Sequence, residues 1–107
     1  MTTEILGLKT CDTCRKARKA LPDAQFRDIR DTPLSADEIA AFLARFGDAL
    51  VNRSSTTWRA LSEAERAQDA AALLAVHPAL MKRPVIRQGD SLHLGWTPKT
   101  RTALGLE

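Results

Sequence analysis

The sequence predicts an α/β domain built on a mixed four-stranded sheet, and three features predict it. Apolar residues make up 44% and charged residues 27% of the chain, an ordinary globular balance. Short segments typical of strands occur near both ends of the sequence. Between them, apolar residues recur with helical spacing. At this length we expect one domain, residues 1–107, with a helical insert at about 35–80.

The N-terminal segment predicts strand, helix and strand in that order. Glu4–Leu8 alternates as a strand does, and a polar turn follows it. Cys14–Leu21 is predicted to be a short helix, with Asp12 and Thr13 as candidate caps. Gln25–Ile29 is a plausible second strand.

The middle of the chain predicts helices. Ser35 and Glu38 have the spacing of a capping box and precede apolar residues at i, i+3, i+4 and i+7. The following segment, "VNRSSTTWRAL", is polar and is predicted to be irregular. Ser62 and Glu65 form a second capping box, and a further helix is expected from Asp69.

The C-terminal segment predicts a hairpin and a last helix. Val85 and Ile86 precede a Gly89–Asp90 turn, after which apolar residues alternate again. Pro98 suits the first position of a helix. The order β-α-β, helical insert, β-β-α is that of a thioredoxin-like fold.

The chain's two cysteines, Cys11 and Cys14, form a Cys-x-x-Cys pair. A cysteine in the turn before a helix faces free N–H groups and the positive end of the helix dipole, which favour the reactive thiolate. Lys9 and Arg15 flank Cys11, add positive charge and are candidate substrate-binding residues. We therefore expect Cys11 to be the nucleophile and Cys14 to resolve a mixed disulfide formed on it.

Two other interpretations of the pair remain open. The cysteines could be inert thiols that happen to lie three positions apart. They could also be half of a zinc site, but a closed zinc site needs four ligands. His77 and His93, the only histidines, do not have the usual His-x₃₋₅-His spacing, so no metal is expected.

The partners and compartment follow from composition. The N-terminus has no signal-peptide pattern, and no apolar run approaches the roughly 20 residues of a membrane span. We therefore expect a cytoplasmic protein without a membrane partner. The net charge of +3 is mild, and no basic run is interleaved with aromatics, so direct nucleic-acid binding is not expected. A monomer is the default expectation.

Three segments together resemble one family. "CDTCRKAR", "NRSSTTWRAL" and "HPALMKRPVI" resemble the ArsC–Spx–YffB family of thioredoxin-fold proteins, and the "TTWR" stretch resembles its YffB-type members in particular. The resemblance implies that Cys11 is the reactive cysteine. It also implies that Pro84 is the cis proline facing that cysteine and that Arg53 and Arg83 bind an anionic group of the substrate.

The resemblance implies a thiol-disulfide oxidoreductase, a glutathione-dependent thiol reductase with no bound cofactor. Glutathione or another small thiol or disulfide would be its substrate, and glutaredoxin is a further candidate partner. One alternative is a Spx-like transcription regulator that binds RNA polymerase under redox control. Another is a glutaredoxin-coupled arsenate reductase, which "LHLGWTP" disfavours because it lacks the arginine that those enzymes carry there.

Overall fold

The computed structural model describes residues 2–106 and contains four strands and six α-helices. Their bounds are β1 Thr3–Gly7, α1 Asp12–Ala20, β2 Gln25–Asp28, α2 Ala36–Phe46, α3 Thr56–Arg59, α4 Glu63–Arg66, α5 Ala70–Val76, β3 Val85–Gln88, β4 Ser91–Leu94 and α6 Pro98–Ala103. Short 3₁₀ helices cover Gly47–Leu50 and Pro78–Leu80. Among the described residues, no helix combines the length and apolarity that crossing a bilayer requires.

The described chain divides into two compact units. The sheet unit consists of the residues up to Asp28 together with those from Arg83 onward. The helical insert consists of Ile29–Lys82. All four strands belong to the sheet unit, and α2 to α5 belong to the insert.

The sheet has the strand order β2-β1-β3-β4. Strand β1 pairs in parallel with β2, and β3 pairs antiparallel with both β1 and β4. The predicted mixed four-stranded sheet is therefore confirmed. The register pairs Leu6 with Val85, so Pro84 lies level with Gly7 at the C-terminal end of β1 and Arg83 lies just beyond it.

The core of the sheet unit lies between the sheet and α1. Ile5 and Ile86 pair across the two central strands and are fully buried with Ala17 of α1. Phe26 and Trp96 pack against this cluster. Burying a side chain such as Ile contributes about 1.5–3 kcal/mol, so this cluster fixes α1 on the sheet.

Helices α2 and α4 of the insert begin at the predicted capping boxes. The Ser35 hydroxyl accepts a hydrogen bond from the Glu38 N–H at 3.1 Å, and the Glu38 carboxylate accepts one from the Ser35 N–H at 2.8 Å. Ser62 and Glu65 make the same reciprocal pair, at 3.2 and 3.0 Å. Both predicted capping boxes are confirmed.

The prediction of an irregular segment before α4 was wrong in part. Thr56–Arg59 forms the single turn of α3. Ser55 caps it by accepting a hydrogen bond from the Trp58 N–H at 3.1 Å. A serine before a short polar turn is a weak signal, because polar residues are equally common in loops.

Candidate thiol site

Cys11 is the N-cap residue of α1 and lies at the end of the loop that follows β1. Its N–H donates to the Leu8 carbonyl at 3.1 Å, and its own carbonyl accepts from the Arg15 N–H at 3.0 Å. The sequence suggested Asp12 or Thr13 as the cap, but the helix begins at Asp12. The cap position is taken by the cysteine, because the Leu8 bond turns the backbone at Cys11 into the helix.

Cys14 occupies the first turn of α1 and faces inward. Its side chain is fully buried, whereas Cys11 is half-buried, and both thiols are free. The spacing of three places the two cysteines on the same side of the helix start. The structure therefore brings the two predicted catalytic residues together, one accessible and one enclosed.

The pKa of the Cys11 thiol is lowered by its surroundings. Burial acts in the opposite direction, because it disfavours the charged form. Hydrogen bonds from the backbone and thiol of Cys14, together with a hydrogen bond and the positive charge of Arg83, outweigh that effect. The Cys11 sulfur makes no regular capping hydrogen bond, so the Cys14 N–H acts on it as a weak donor.

The pKa of the Cys14 thiol moves the other way, to about 12. Burial is the largest cause, and hydrogen bonding and charge repulsion from Cys11 raise the pKa further. A backbone hydrogen bond from Leu8 and the charge of Arg83 oppose the shift without cancelling it. Cys14 is therefore a thiol at neutral pH and acts as the donor in the pair.

Lys9 and Arg15 make contacts within the loop and the first turn of α1, and their predicted roles at the site stay predictions. The Arg15 guanidinium lies 3.3 Å from the Asp12 carboxylate and donates through Nε to the Lys9 carbonyl at 3.2 Å. The Lys9 N–H donates to the Asp28 carboxylate at 2.9 Å. These contacts hold the loop before Cys11 in place. Arg83 contributes both a hydrogen bond and a positive charge to the Cys11 sulfur.

Arg83 and Pro84 precede β3, beside the end of β1. The peptide bond between them is cis, as the resemblance implied. Pro84 is fully buried, and its carbonyl accepts a hydrogen bond from the Gly95 N–H at 2.8 Å. The structure therefore fixes the backbone that carries Arg83 and directs its half-buried side chain to Cys11.

Arg53, the other predicted anion-binding arginine, belongs to the helical insert. Its guanidinium lies 5.3 Å from the centre of the Trp58 ring and donates to the Asp48 carbonyl at 3.4 Å. The guanidinium of Arg66 lies 5.7 Å from the centre of the same ring. The described contacts of Arg53 are therefore within the insert, and its predicted role stays a prediction.

No group of three or more His, Cys, Asp or Glu side chains within residues 2–106 is arranged to hold a metal ion. His77 ends α5 and lies 3.5 Å from the Glu65 carboxylate. His93 lies in β4. The two histidines are thus on different elements, as their spacing indicated.

Gly7, the last residue of β1, and Leu8, which follows it, lie against Cys14 and were not predicted from the sequence. A Cβ atom at Gly7 would lie 2.3 Å from the Cys14 sulfur, and Leu8 supplies the backbone hydrogen bond to that sulfur. The available signal was a glycine inside a strand, which marks a close approach of another group.

Most of the chain matches the model of one protein family. The model of the ArsC family matches residues 6–104. The chain belongs to the ArsC family. It shares this family with proteins whose names indicate both reductases and regulators.

Two curated relatives of this ArsC-family chain cover most of its length. An uncharacterised protein of Haemophilus influenzae is 36% identical over 104 residues, covering 89% of this chain and 91% of the relative. The global transcriptional regulator Spx of Bacillus subtilis is 32% identical over 97 residues, covering 81% of this chain and 74% of Spx.

Solved structures of the family have the same fold. A YffB protein superposes with a TM-score of 0.85 at 31% identity, covering 95% of this chain and 97% of that one. An arsenate reductase related protein from Brucella melitensis superposes with a TM-score of 0.73 at 36% identity, covering 96% and 93%. These similarities confirm the predicted thioredoxin-like α/β fold.

Proposed function

We propose that this ArsC-family protein is a thiol-disulfide oxidoreductase that uses Cys11 as its nucleophile and glutathione as its co-substrate. One observation carries the proposal. Cys11 is an accessible thiol of lowered pKa at the start of α1, and its neighbour Cys14 is buried with a raised pKa. An accessible thiolate can attack, and a protected thiol beside it is suited to act second.

The proposed reaction begins when the Cys11 thiolate attacks one sulfur of a substrate disulfide. A Cys11–substrate disulfide forms, the substrate S–S bond breaks, and the leaving thiolate takes a proton. Cys14 then loses its proton and attacks the Cys11 sulfur, which forms the Cys11–Cys14 disulfide and releases the second substrate thiol. Two glutathione molecules reduce that disulfide and become glutathione disulfide, so two electrons pass from glutathione to the substrate.

Arg83 has two roles in this proposal. Its charge favours the Cys11 thiolate before the attack. Its planar guanidinium also suits a carboxylate of the substrate, which it could bind with two parallel hydrogen bonds. Arg53 would be a second site for such an anion, and Lys9 and Arg15 would hold the loop before Cys11 in place.

The proposal is tested by turnover of a model disulfide with glutathione, monitored through the oxidation of NADPH by glutathione reductase. We expect turnover by the wild type and its loss in Cys11→Ser. Cys14→Ser is the matched control, because it alters the other sulfur of the pair and leaves a route in which glutathione resolves the mixed disulfide. Turnover by Cys11→Ser at the wild-type rate would overturn the proposal.

The 32% identity with Spx of Bacillus subtilis favours a second candidate, a regulator that binds RNA polymerase under the control of the Cys11–Cys14 pair. Under that candidate function, the oxidised protein binds polymerase and the reduced protein does not. Pull-down with purified polymerase in both redox states separates it from the enzyme. Reduction of arsenate with glutathione and glutaredoxin tests the arsenate reductase alternative, and we expect it to fail.

The compartment is part of the proposal. A glutathione-dependent thiol reductase needs reduced glutathione, which the cytoplasm provides. Fractionation of cells with an antibody to the protein would test this location.

A further inference from the structure

The last residue of β1, Gly7, lies directly against the sulfur of Cys14. A Cβ atom at Gly7 would lie 2.3 Å from Cys14 Sγ. Non-bonded carbon atoms are favourably separated by about 3.5–4.0 Å, so this distance is a severe overlap. The Cys14 sulfur therefore occupies the space that any side chain at position 7 would need.

The sulfur is the main obstacle to a side chain at this position. The other nearby atoms are Cys14 Cβ at 3.4 Å and Phe26 Cε1 at 3.9 Å, which are ordinary contacts. Gly7 is not among the glycines with positive φ, so its backbone conformation does not demand glycine. What demands glycine is the close approach of α1 to the end of β1 at Cys14.

We infer that Gly7 is a positioning residue: its missing side chain lets the Cys14 sulfur rest on the end of β1, beside the Leu8 N–H and within reach of Cys11. The role of Cys14 in the reaction rests on the proposed function. The position of its sulfur rests on the geometry alone.

The position of the Cys14 sulfur matters because the sulfur interacts with both Leu8 and Cys11. The Leu8 backbone hydrogen bond favours the Cys14 thiolate that must form before it attacks. The Cys14 thiol in turn makes a hydrogen bond that lowers the pKa of Cys11. A methyl group at position 7 would push the sulfur away and weaken both interactions.

A double-mutant cycle tests the contact without any assay of turnover. The folding equilibrium constant is measured by urea denaturation for the reduced wild type, Gly7→Ala, Cys14→Ala and the double variant. We expect Gly7→Ala to lower the constant by about tenfold or more when Cys14 is present. We expect a much smaller loss in the Cys14→Ala background, where the sulfur is gone.

The matched control uses the other cysteine. In the Cys11→Ala background the Cys14 sulfur remains, so Gly7→Ala should cost as much as it does in the wild type. An equal loss in the Cys14→Ala background would overturn the inference. If Gly7→Ala does not fold, folding of the double variant still supports the contact, and failure of both overturns it.

A second measurement tests the positioning role. Glutathione disulfide is used to form the mixed disulfide on Cys11, and its half-life is followed by mass spectrometry. We expect Gly7→Ala to prolong that half-life at least about fivefold, toward that of Cys14→Ala, since the displaced sulfur attacks poorly. The midpoint of the pH profile for Cys11 alkylation should also rise. A wild-type half-life and midpoint in Gly7→Ala would overturn the role.

The two proposals fail in different ways. If the wild type does not turn over disulfides but the stability cycle shows the coupling, the proposed function fails and the Gly7 contact stands. If the wild type turns over disulfides and the coupling is absent, the Gly7 inference fails and the proposed function stands.

Discussion

The sheet unit and the helical insert are organised by different kinds of contact. In the sheet unit, the properties of the Cys11 thiol depend on Arg83, which is far away in sequence. In the insert, the described polar contacts at the helix starts join residues three positions apart, as in the Ser35–Glu38 capping box. The chemistry of the Cys11 sulfur thus combines local hydrogen bonds from Cys14 with a long-range contact from Arg83, whereas the capping boxes of the insert are local contacts.

The arginines that the resemblance paired show the same difference. Arg83 interacts with the sulfur of Cys11. Arg53 instead lies over the ring of Trp58 and donates a hydrogen bond to the Asp48 carbonyl. Two residues with the same predicted role therefore have different surroundings. Variants that separate the sulfur chemistry from the stability of the insert can sharpen or break this contrast.

The largest expected effect is that of Cys11→Ser on turnover. We expect glutathione-dependent reduction of a model disulfide to fall by about a thousandfold, because a hydroxyl is a far weaker nucleophile than a thiolate. The free energy of unfolding should change little, since Cys11 is only half-buried. Steady-state kinetics measure the turnover, and urea denaturation measures the free energy of unfolding. A large loss of stability with retained turnover would contradict the contrast.

The next effect is an alkaline destabilisation caused by Cys14. A thiol whose pKa is about 12 in the folded protein and about 8.5 in the unfolded chain stabilises the fold below pH 8.5. That contribution is lost as the pH rises toward 12. One pKa unit corresponds to about 1.36 kcal/mol. We therefore expect the free energy of unfolding to fall by about 2 kcal/mol between pH 8.5 and 10.

Urea denaturation across this pH range measures the effect, with Cys14→Ala as the comparison. The slope of stability against pH should be shallower in the variant. Identical slopes would show that Cys14 is not the group responsible.

A smaller effect is expected for Arg83→Met. Removing the guanidinium removes a hydrogen bond and a charge that lower the pKa of Cys11. At neutral pH we expect the rate of Cys11 alkylation by iodoacetamide to fall about fivefold, because each pKa unit changes the thiolate fraction up to tenfold. The midpoint of the pH profile should rise.

Arg53→Met is the matched control in the helical insert. We expect its alkylation profile to coincide with that of the wild type, because its described contacts are Trp58 and the Asp48 carbonyl. Equal shifts in both variants would break the contrast between the two arginines.

The smallest effect concerns the capping box of α2. Ser35→Ala removes the hydroxyl that accepts from the Glu38 N–H, and such changes cost about 1 kcal/mol. Chemical denaturation should show this loss, while Cys11 alkylation at neutral pH stays at the wild-type rate. Slower alkylation in Ser35→Ala would mean that the insert and the sulfur chemistry are coupled.

The helical insert also has an acid-sensitive group. Hydrogen bonds from Ser62 lower the pKa of Glu65, with a further contribution from His77. The stability that Glu65 contributes is therefore present above its ordinary pKa and lost as the pH falls through the lowered one. Ser62→Ala should make the stability of the protein less sensitive to acid in denaturation experiments.

Local patterns predicted much of the fold. The two capping boxes, the hairpin after Pro84 and the element order follow from spacings of a few residues, which short-range physics controls. The Cys-x-x-Cys pair before a helix was visible for the same reason. The turn of α3 was missed because its single cap, Ser55, resembles an ordinary loop residue.

Part of the site was harder to predict because Arg83 reaches Cys11 from far along the sequence. Lys9 and Arg15 were predicted from their position beside Cys11, and their roles stay predictions. The described contacts of Arg15 are the Asp12 carboxylate and the Lys9 carbonyl. Arg83 was identified only through the family resemblance, since nothing local distinguishes it from a surface arginine. The contact between Gly7 and Cys14 requires the packing of α1 on β1, which no spacing specifies.

The register that places Arg83 beyond the end of β1 has a consequence during biosynthesis. While the ribosome is making the first eighty residues, the nascent chain already carries Cys11 but not the guanidinium that acidifies it. The hydrogen bond and the charge of Arg83 can therefore act on Cys11 only after β3 has emerged and joined β1.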